Sequence, residues 1–183
     1  MEEISLHILD IAENSINAGA SLVQILIHEE RGKDLFSVVI IDNGKGMPGD
    51  VLEEVLNPFY TTRTTRKIGL GLSLLAQSAK ETGGSIAVTS AEGGGTTVKA
   101  DFRPSHIDMK PLGNIADTLI VLIAGNPLID FLFSYTVDHD NFSFDTRDIK
   151  AELEGIPINS PSVINPIRKS ILGSLSAMKE RIG

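Results

Sequence analysis

Two apolar runs separated by five polar residues constrain this chain more than any other feature. "SLVQILIHE" (21–29) and "LFSVVIID" (35–42) are dense in β-branched and aromatic residues. Such side chains suit a pleated, half-buried surface. The intervening "ERGKD" reads as a turn, so the two runs are expected to pair as a hairpin. Hydrophobic residues make up 42% of the 183, enough for a real core in one medium domain or in a compact domain with a small partner.

The rest of the chain builds around that hairpin. Residues 4–18 have the period of a helix with one buried stripe, ended near Gly19. "NGKGMPGD" is a glycine- and proline-rich loop, followed by a short helical pattern in "DVLEEVL". Residues 57–68 lack a clean period and read as a loop. A helix is expected from Gly69, opened and closed by glycines. "SIAVTSAEGGGTTVKADF" (85–102) reads as strand, tight glycine turn and strand. The first 103 residues thus give α-β-β-α-loop-α-β-β. "RPSHIDMKP" has prolines near both ends and little period, so residues 104–111 are expected to be a linker between a domain at 1–103 and a small α+β module at 112–183. In that module residues 114–125 read as a helix, 131–147 as a hairpin and "DIKAELEG" as a short helix. Asn165 and Pro166 are expected to cap and open the last helix.

Charge and composition exclude several functions. Acids outnumber bases 24 to 16, a net charge of −8, which argues against non-specific binding to nucleic acid or anionic lipid. The absence of cysteine rules out disulfides, thiolate metal sites and cysteine nucleophiles. The N-terminus carries acids where a secretory signal carries bases. The most apolar run, "TLIVLIAG" (118–125), is too short to span a bilayer. A soluble, cytoplasmic protein without a membrane partner is expected.

Four short motifs carry the chemistry. In "ILDIAENSINAGA" (8–20), Asp10, Glu13, Asn14 and Asn17 stand opposite the apolar stripe with no cation among them. Asp10 and Asn14 are four apart and share a face. An asparagine there can offer its oxygen to Mg²⁺, and an acid one turn earlier can take a proton from an attacking water or hydroxyl. A plain solvated face would look the same. In "IIDNGKGMP", an apolar strand ends at Asp42, and Gly44 and Gly46 let the backbone turn and approach a ligand. That aspartate can accept from an exocyclic amine such as adenine's; a simple Asn-Gly turn reads equally well. In "TTRTTRKIGLGLSLL", Gly69 and Gly71 precede a helix whose free N–H groups favour phosphate. Arg63, Arg66 and Lys67 make a cationic patch just upstream, suited to a lid closing on a triphosphate, although Gly71 can also serve packing alone. In "AEGGGTTVKADF", Thr96 and Thr97 open the last strand and can support the base end or the Asp42 side chain. A glycine-rich hairpin is the plain alternative.

Taken together and in this order, the motifs resemble those of the GHKL ATPases, the family of gyrase, the heat-shock chaperones, histidine kinases and MutL. The likeness covers residues 4–103. It implies a Bergerat-type α/β sandwich, an α+β fold with a mixed sheet covered on one face by helices, binding ATP and Mg²⁺. By resemblance, Asn14 holds the metal and Asp42 recognises adenine. Gly44 and Gly46 line the base and ribose. Gly69, Leu70 and Gly71 present backbone amides to the phosphates, and Arg63 and Lys67 are candidates for the γ-phosphate. Asp10 is the candidate base and Pro58 to Ile68 the lid. "PFYTTR" with "GLGLSLL" looks most like histidine kinase catalytic domains, whereas "AENSINAGA" looks more like MutL.

There are three departures from the pattern. The family's acid is usually glutamate, and Asp10 is one methylene shorter. Lys67-Ile68 stand where an earlier glycine is common. The chain also starts almost on the first motif, so no dimerisation hairpin with an acceptor histidine is expected upstream. "SHIDMKPL" faintly resembles a kinase acceptor box around His106, but Ile107 replaces its acid, and a plain linker is the preferred reading.

The expected activity is phosphotransfer to a separate partner protein, in a layout like that of the anti-sigma-factor serine kinases, or slow ATP hydrolysis. The alternatives are a nucleotide-gated binding module and a MutL- or gyrase-like ATPase that forms a homodimer on ATP.

Overall fold

The structure is a computed structural model that describes residues 3–56 and 70–182. The order is α1 (Ile4–Asn17), β1 (Leu22–Glu30), a 3-10 turn (Arg31–Lys33), β2 (Leu35–Asp42), α2 (Gly49–Leu56), α3 (Leu70–Glu81), β3 (Ser85–Ser90), β4 (Thr96–Phe102), α4 (Ile115–Gly125), β5 (Asp130–Val137), β6 (Asp140–Asp145), α5 (Thr146–Glu152) and α6 (Pro161–Ile182). The lid expected over residues 58–68, with Arg63 and Lys67, and the first helix glycine, Gly69, lie outside the described residues.

The strands form one sheet in the order β3-β4-β2-β1-β5-β6. Every pairing is antiparallel except β1 with β5. This is the expected mixed sheet. Side chains alternate between its faces. Phe36, Val38 and Ile40 of β2, Val23, Ile25 and Ile27 of β1 and Phe131, Phe133 and Val137 of β5 are buried on one face. Contacts between neighbouring helices order the covering layer as α3-α1-α4-α6. The alternate residues, such as Gln24, Leu26, Val39, Ile41 and Leu132, are only half-buried on the opposite face. α1 adds Ile4, Ile8, Ile11 and Ala12 to the core, the stripe that its three- and four-residue spacing dictates. Each buried isoleucine contributes about 1.5–3 kcal/mol over an exposed one.

Two expectations differ from what is found. Residues 112–183 do not stand apart from residues 1–103. β5 runs beside β1 over its length, from Leu22 opposite Asp130 to Glu29 opposite Val137, and the core is one continuous cluster reaching from Ile4 to Met178. The physical reason is the β1 edge, whose exposed backbone groups need a partner that β2 supplies on one side only. The 103–111 segment is correspondingly tied down. Pro111 and Leu112 carbonyls accept from the Ile4 and Ser5 amides at 3.0 and 2.8 Å.

The last helix also starts earlier than Asn165. It opens at Pro161 and carries Pro166 inside it, with Ser160 O accepting from the Val163 and Ile164 amides at 2.9 Å. Ser160-Pro161 offers the same cap-and-proline signature as Asn165-Pro166. The earlier start packs Val163 and Ile164 against the core.

Candidate functional site

Asp42 is the last residue of β2 and keeps the parity of Phe36, Val38 and Ile40, so its carboxylate turns under the helix layer. It is only 9% exposed. A buried carboxylate needs donors, and two come from different elements. Ser15 of α1 donates its hydroxyl to Oδ2 at 2.7 Å, and the Gly44 amide donates to Oδ1 at 2.9 Å. That closeness leaves little room for a side chain at Gly44. A Cβ there would lie 3.1 Å from Asp42 Oδ1 and 3.0 Å from Ala18 O.

Beyond Gly44 the loop lies on the β3–β4 turn, backbone against backbone. The Gly93 amide donates to Lys45 O at 2.7 Å, and Met47 N donates to Ser90 Oγ at 2.8 Å. Ser90 Oγ also lies 2.9 Å from Gly95 O and 2.9 Å from Thr96 Oγ1. Gly46 has φ +66°, and a Cβ on it would sit 1.9 Å from Ala91 O. The two glycine-rich motifs are therefore one assembly. Asn43 is not idle in its turn. Its Oδ1 accepts from the Ser21 and Leu22 amides at 2.9 Å, which fixes the start of β1.

Asp10 and Asn14 are half-buried, one helical turn apart on α1. Neither side chain bonds another described residue. The first turn of α3 meets this face. A Cβ on Gly71 would lie 2.6 Å from Asp10 Cβ and 3.0 Å from its Oδ2. The structure thus brings Asp10 and the Gly71 backbone together on the helix that also carries Asn14, with Asp42 joined to α1 through Ser15. The fit to a metal is partial. No cluster of three acidic or histidine ligands exists among the described residues. A hard cation here would take Asn14 oxygen and complete its shell from phosphate and water.

The two threonines divide. Thr96 pairs with Asp42 in register and shares its face, as do Val98 and Ala100, which are buried there. Thr97 has the opposite parity, opposite Ile41 and Thr89. It lies on the open face with Lys99 and cannot support Asp42 or a base beside it. That expectation for Thr97 is corrected.

Ser15 and Ser90 join the candidate site in the structure and were not picked out from the sequence. Ser15 sits on the buried stripe, four residues after Ile11. A hydroxyl on an apolar stripe was the available signal. His7, one turn before Asp10, is 1% exposed, and neither ring nitrogen has a hydrogen-bond partner among the described residues. Burial, then the N-terminal amine and Lys110, hold its pKa below the usual 6.5, while Asp10 pulls the other way. His106 lies at the other end of the sheet. Its turn is fastened to the β1–β2 turn through Asp34, whose oxygens take Ser105 N and Oγ at 2.9 and 2.6 Å.

The family model described as histidine kinase-, DNA gyrase B-, and HSP90-like ATPase matches residues 2–106, more than half of the chain. The chain belongs to that family. It is 47% identical over 70 residues to the sensor kinase CckA of Brucella abortus, covering 38% of this chain and 7% of that protein. It is 34% identical over 89 residues to the sensor histidine kinase ZraS of Salmonella typhi, covering 48% of this chain and 19% of that one. The chain spans a fifth or less of the length of these curated relatives. The N-terminal domain of a DNA repair protein shares its fold at 18% identity, with a TM-score of 0.56 over 78% of this chain and 52% of that one. That share exceeds what residues 2–106 make up, so the likeness includes part of the C-terminal elements. Among the described residues no helix is long and apolar enough to cross a membrane.

Proposed function

We propose that the chain binds Mg-ATP between α1, the end of β2, the β3–β4 turn and the start of α3, and that it works as a regulatory kinase or slow ATPase. The observation that carries the reading is the buried Asp42 carboxylate, held by the Gly44 amide and by Ser15, which lies on the helix that also carries Asp10 and Asn14. Asp42 accepts from the exocyclic amine of adenine. Gly44 and Gly46 let the backbone come close to base and ribose. The free amides at the start of α3, with Gly69, take the phosphates, and Arg63 and Lys67 close on the γ-phosphate. Asn14 is the protein's ligand to Mg²⁺. When bound, the ion neutralises phosphate charge in the transition state.

Asp10 then accepts the proton of the attacking water, or of a partner protein's hydroxyl or imidazole, as the bond from the γ-phosphorus to the ADP oxygen breaks. Transfer to His106 of the same chain is disfavoured. β4 separates its turn from Thr96 by seven residues, roughly 20 Å of strand. A second reading, a nucleotide-gated module with little turnover, draws support from the pairing of β5 along β1, which ties residues 112–183 to the nucleotide face.

The test follows the γ-phosphate. Wild type, Asp10→Asn and Asn14→Ala are each incubated with Mg²⁺ and γ-labelled ATP, with and without candidate partner proteins. Asp10→Asn is expected to bind ATP but lose roughly 100-fold or more of the transfer rate, and Asn14→Ala to lose Mg²⁺-dependent binding. ATP bound by wild type with no label moved under any condition leaves the gated module standing. No ATP bound by wild type refutes both readings.

A further inference from the structure

We propose that Ser15 is a positioning residue that selects the nucleobase by locking the plane of the Asp42 carboxylate. The proposal rests on the Mg-ATP reading and specifies the base that the site takes.

Each carboxylate oxygen has two lone pairs. The Gly44 amide takes one of Oδ1 at 2.9 Å, and the Ser15 hydroxyl takes one of Oδ2 at 2.7 Å. The donors come from separate elements, the loop after β2 and the helix α1. Turning the carboxylate about its last bond breaks at least one of the two contacts, so its plane is set before a ligand arrives. Ser15 is 4% exposed, and water has little access to replace its hydroxyl.

Ile11 O also lies 3.2 Å from Ser15 Oγ, but a hydroxyl has one proton. The shorter, charge-assisted contact to Asp42 takes it. The lone pairs left on Asp42 can only accept. A purine with an amine at carbon 6 offers a donor to them. A purine with a keto oxygen there sets lone pairs against a carboxylate, and polar mismatches of this kind are refused strongly. Discrimination depends on angle as well as charge. Without the Ser15 hydroxyl, the carboxylate keeps only the Gly44 donor, turns, and meets the amine poorly.

The experiment titrates the 183-residue chain with Mg-ATP and Mg-ITP by calorimetry, in wild type, Ser15→Ala, Ser15→Thr and Asp42→Asn. Thermal melts without nucleotide run alongside. Wild type is expected to prefer ATP by tenfold or more. Ser15→Ala is expected to shrink that preference by roughly 3- to 30-fold, as for the loss of a hydrogen bond to a charged group, while Ser15→Thr restores most of it.

A Ser15→Ala chain that folds and keeps the wild-type preference overturns the proposal. So does a folded Ser15→Thr chain that loses it, which is the readout that stands if the alanine variant does not fold. A serine that served only packing or the Ile11 carbonyl would move the melts and leave the ATP-to-ITP ratio alone. Wild type that binds no ATP, or Asp42→Asn that binds it as well as wild type, marks failure of the underlying Mg-ATP reading and removes this proposal with it.

Discussion

Gly46→Ala, set against Gly93→Ala, tests whether the two glycine-rich turns act as one unit. Both glycines have positive φ, +66° and +74°. Adding a Cβ at either costs about 1–2 kcal/mol of backbone strain. Their surroundings differ. A Cβ at Gly93 meets nothing within 4 Å, whereas one at Gly46 falls 1.9 Å from Ala91 O, a backbone atom held in its turn. The loop carrying Gly46 must therefore lift away. That breaks the Gly93-to-Lys45 contact at 2.7 Å and strains the Met47-to-Ser90 contact at 2.8 Å. Two such bonds are worth about 1 kcal/mol each. Gly46→Ala is expected to cost about 3–4 kcal/mol and Gly93→Ala about 1–2 kcal/mol. Urea unfolding of both variants gives the difference, and ATP titration shows whether only the first loses the nucleotide. Equal losses of stability with ATP binding intact in both would refute the reasoning, since backbone strain alone would then account for everything.

Other consequences can be measured on the same chain. Gly71→Ala pushes a Cβ to 2.6 Å from Asp10 Cβ, and overpacking of this kind costs about 1–3 kcal/mol. A phosphate-release assay is expected to show a larger loss in turnover than the urea midpoint shows in stability, because α3 and Asp10 must part. His7 gives a pH dependence. Its folded pKa is held below 6.5, so the unfolded chain takes up a proton that the folded chain refuses. That contribution is complete above pH 6.5 and is lost as pH falls from there to the folded value, by at most about 1.4 kcal/mol per pH unit. Urea midpoints between pH 7.5 and 5.5 are expected to fall less steeply in His7→Phe than in wild type; parallel slopes refute the assignment.

How much of this was legible in the sequence depends on how local the determining interaction is. β2 occupies Leu35–Asp42, the span that its β-branched run marks. α1 buries the residues its period selects, because one stripe must face the sheet. The parity of Phe131, Phe133, Tyr135 and Val137 was legible too, but their partner was not. An alternating run carries no label for the strand it joins, and the β1–β5 pairing crosses more than a hundred residues.

The same limit governs the site. That Asp10 and Asn14 share a helix face was legible because their spacing on α1 is local. Thr96 and Thr97 could not be told apart until the register with β2 was known, since a slip of one residue exchanges the faces of a sheet. Ser15 was overlooked because its role depends on Asp42, which lies 27 residues away.

The segment read as a linker shows why the C-terminal elements bear on the site. α1 has Glu3 at its N-cap with no side-chain cap bond. Its first amides would go unpaired, at about 1 kcal/mol or more each. Pro111 and Leu112 supply the missing acceptors to Ile4 and Ser5. Gly113 then turns with φ +78°, so close that a Cβ there would lie 2.2 Å from Glu3 Oε2. α4 follows directly and packs against α1, with Thr118 Oγ1 donating to Ser5 O at 3.4 Å. The helix that bears Asp10, Asn14 and Ser15 is thus held at its start by residues 111–118. α4 is joined to the start of that helix by hydrogen bonds as well as by packing. The β1–β2 pair makes a second connection, since β1 lies between β5 and the strand that ends in Asp42.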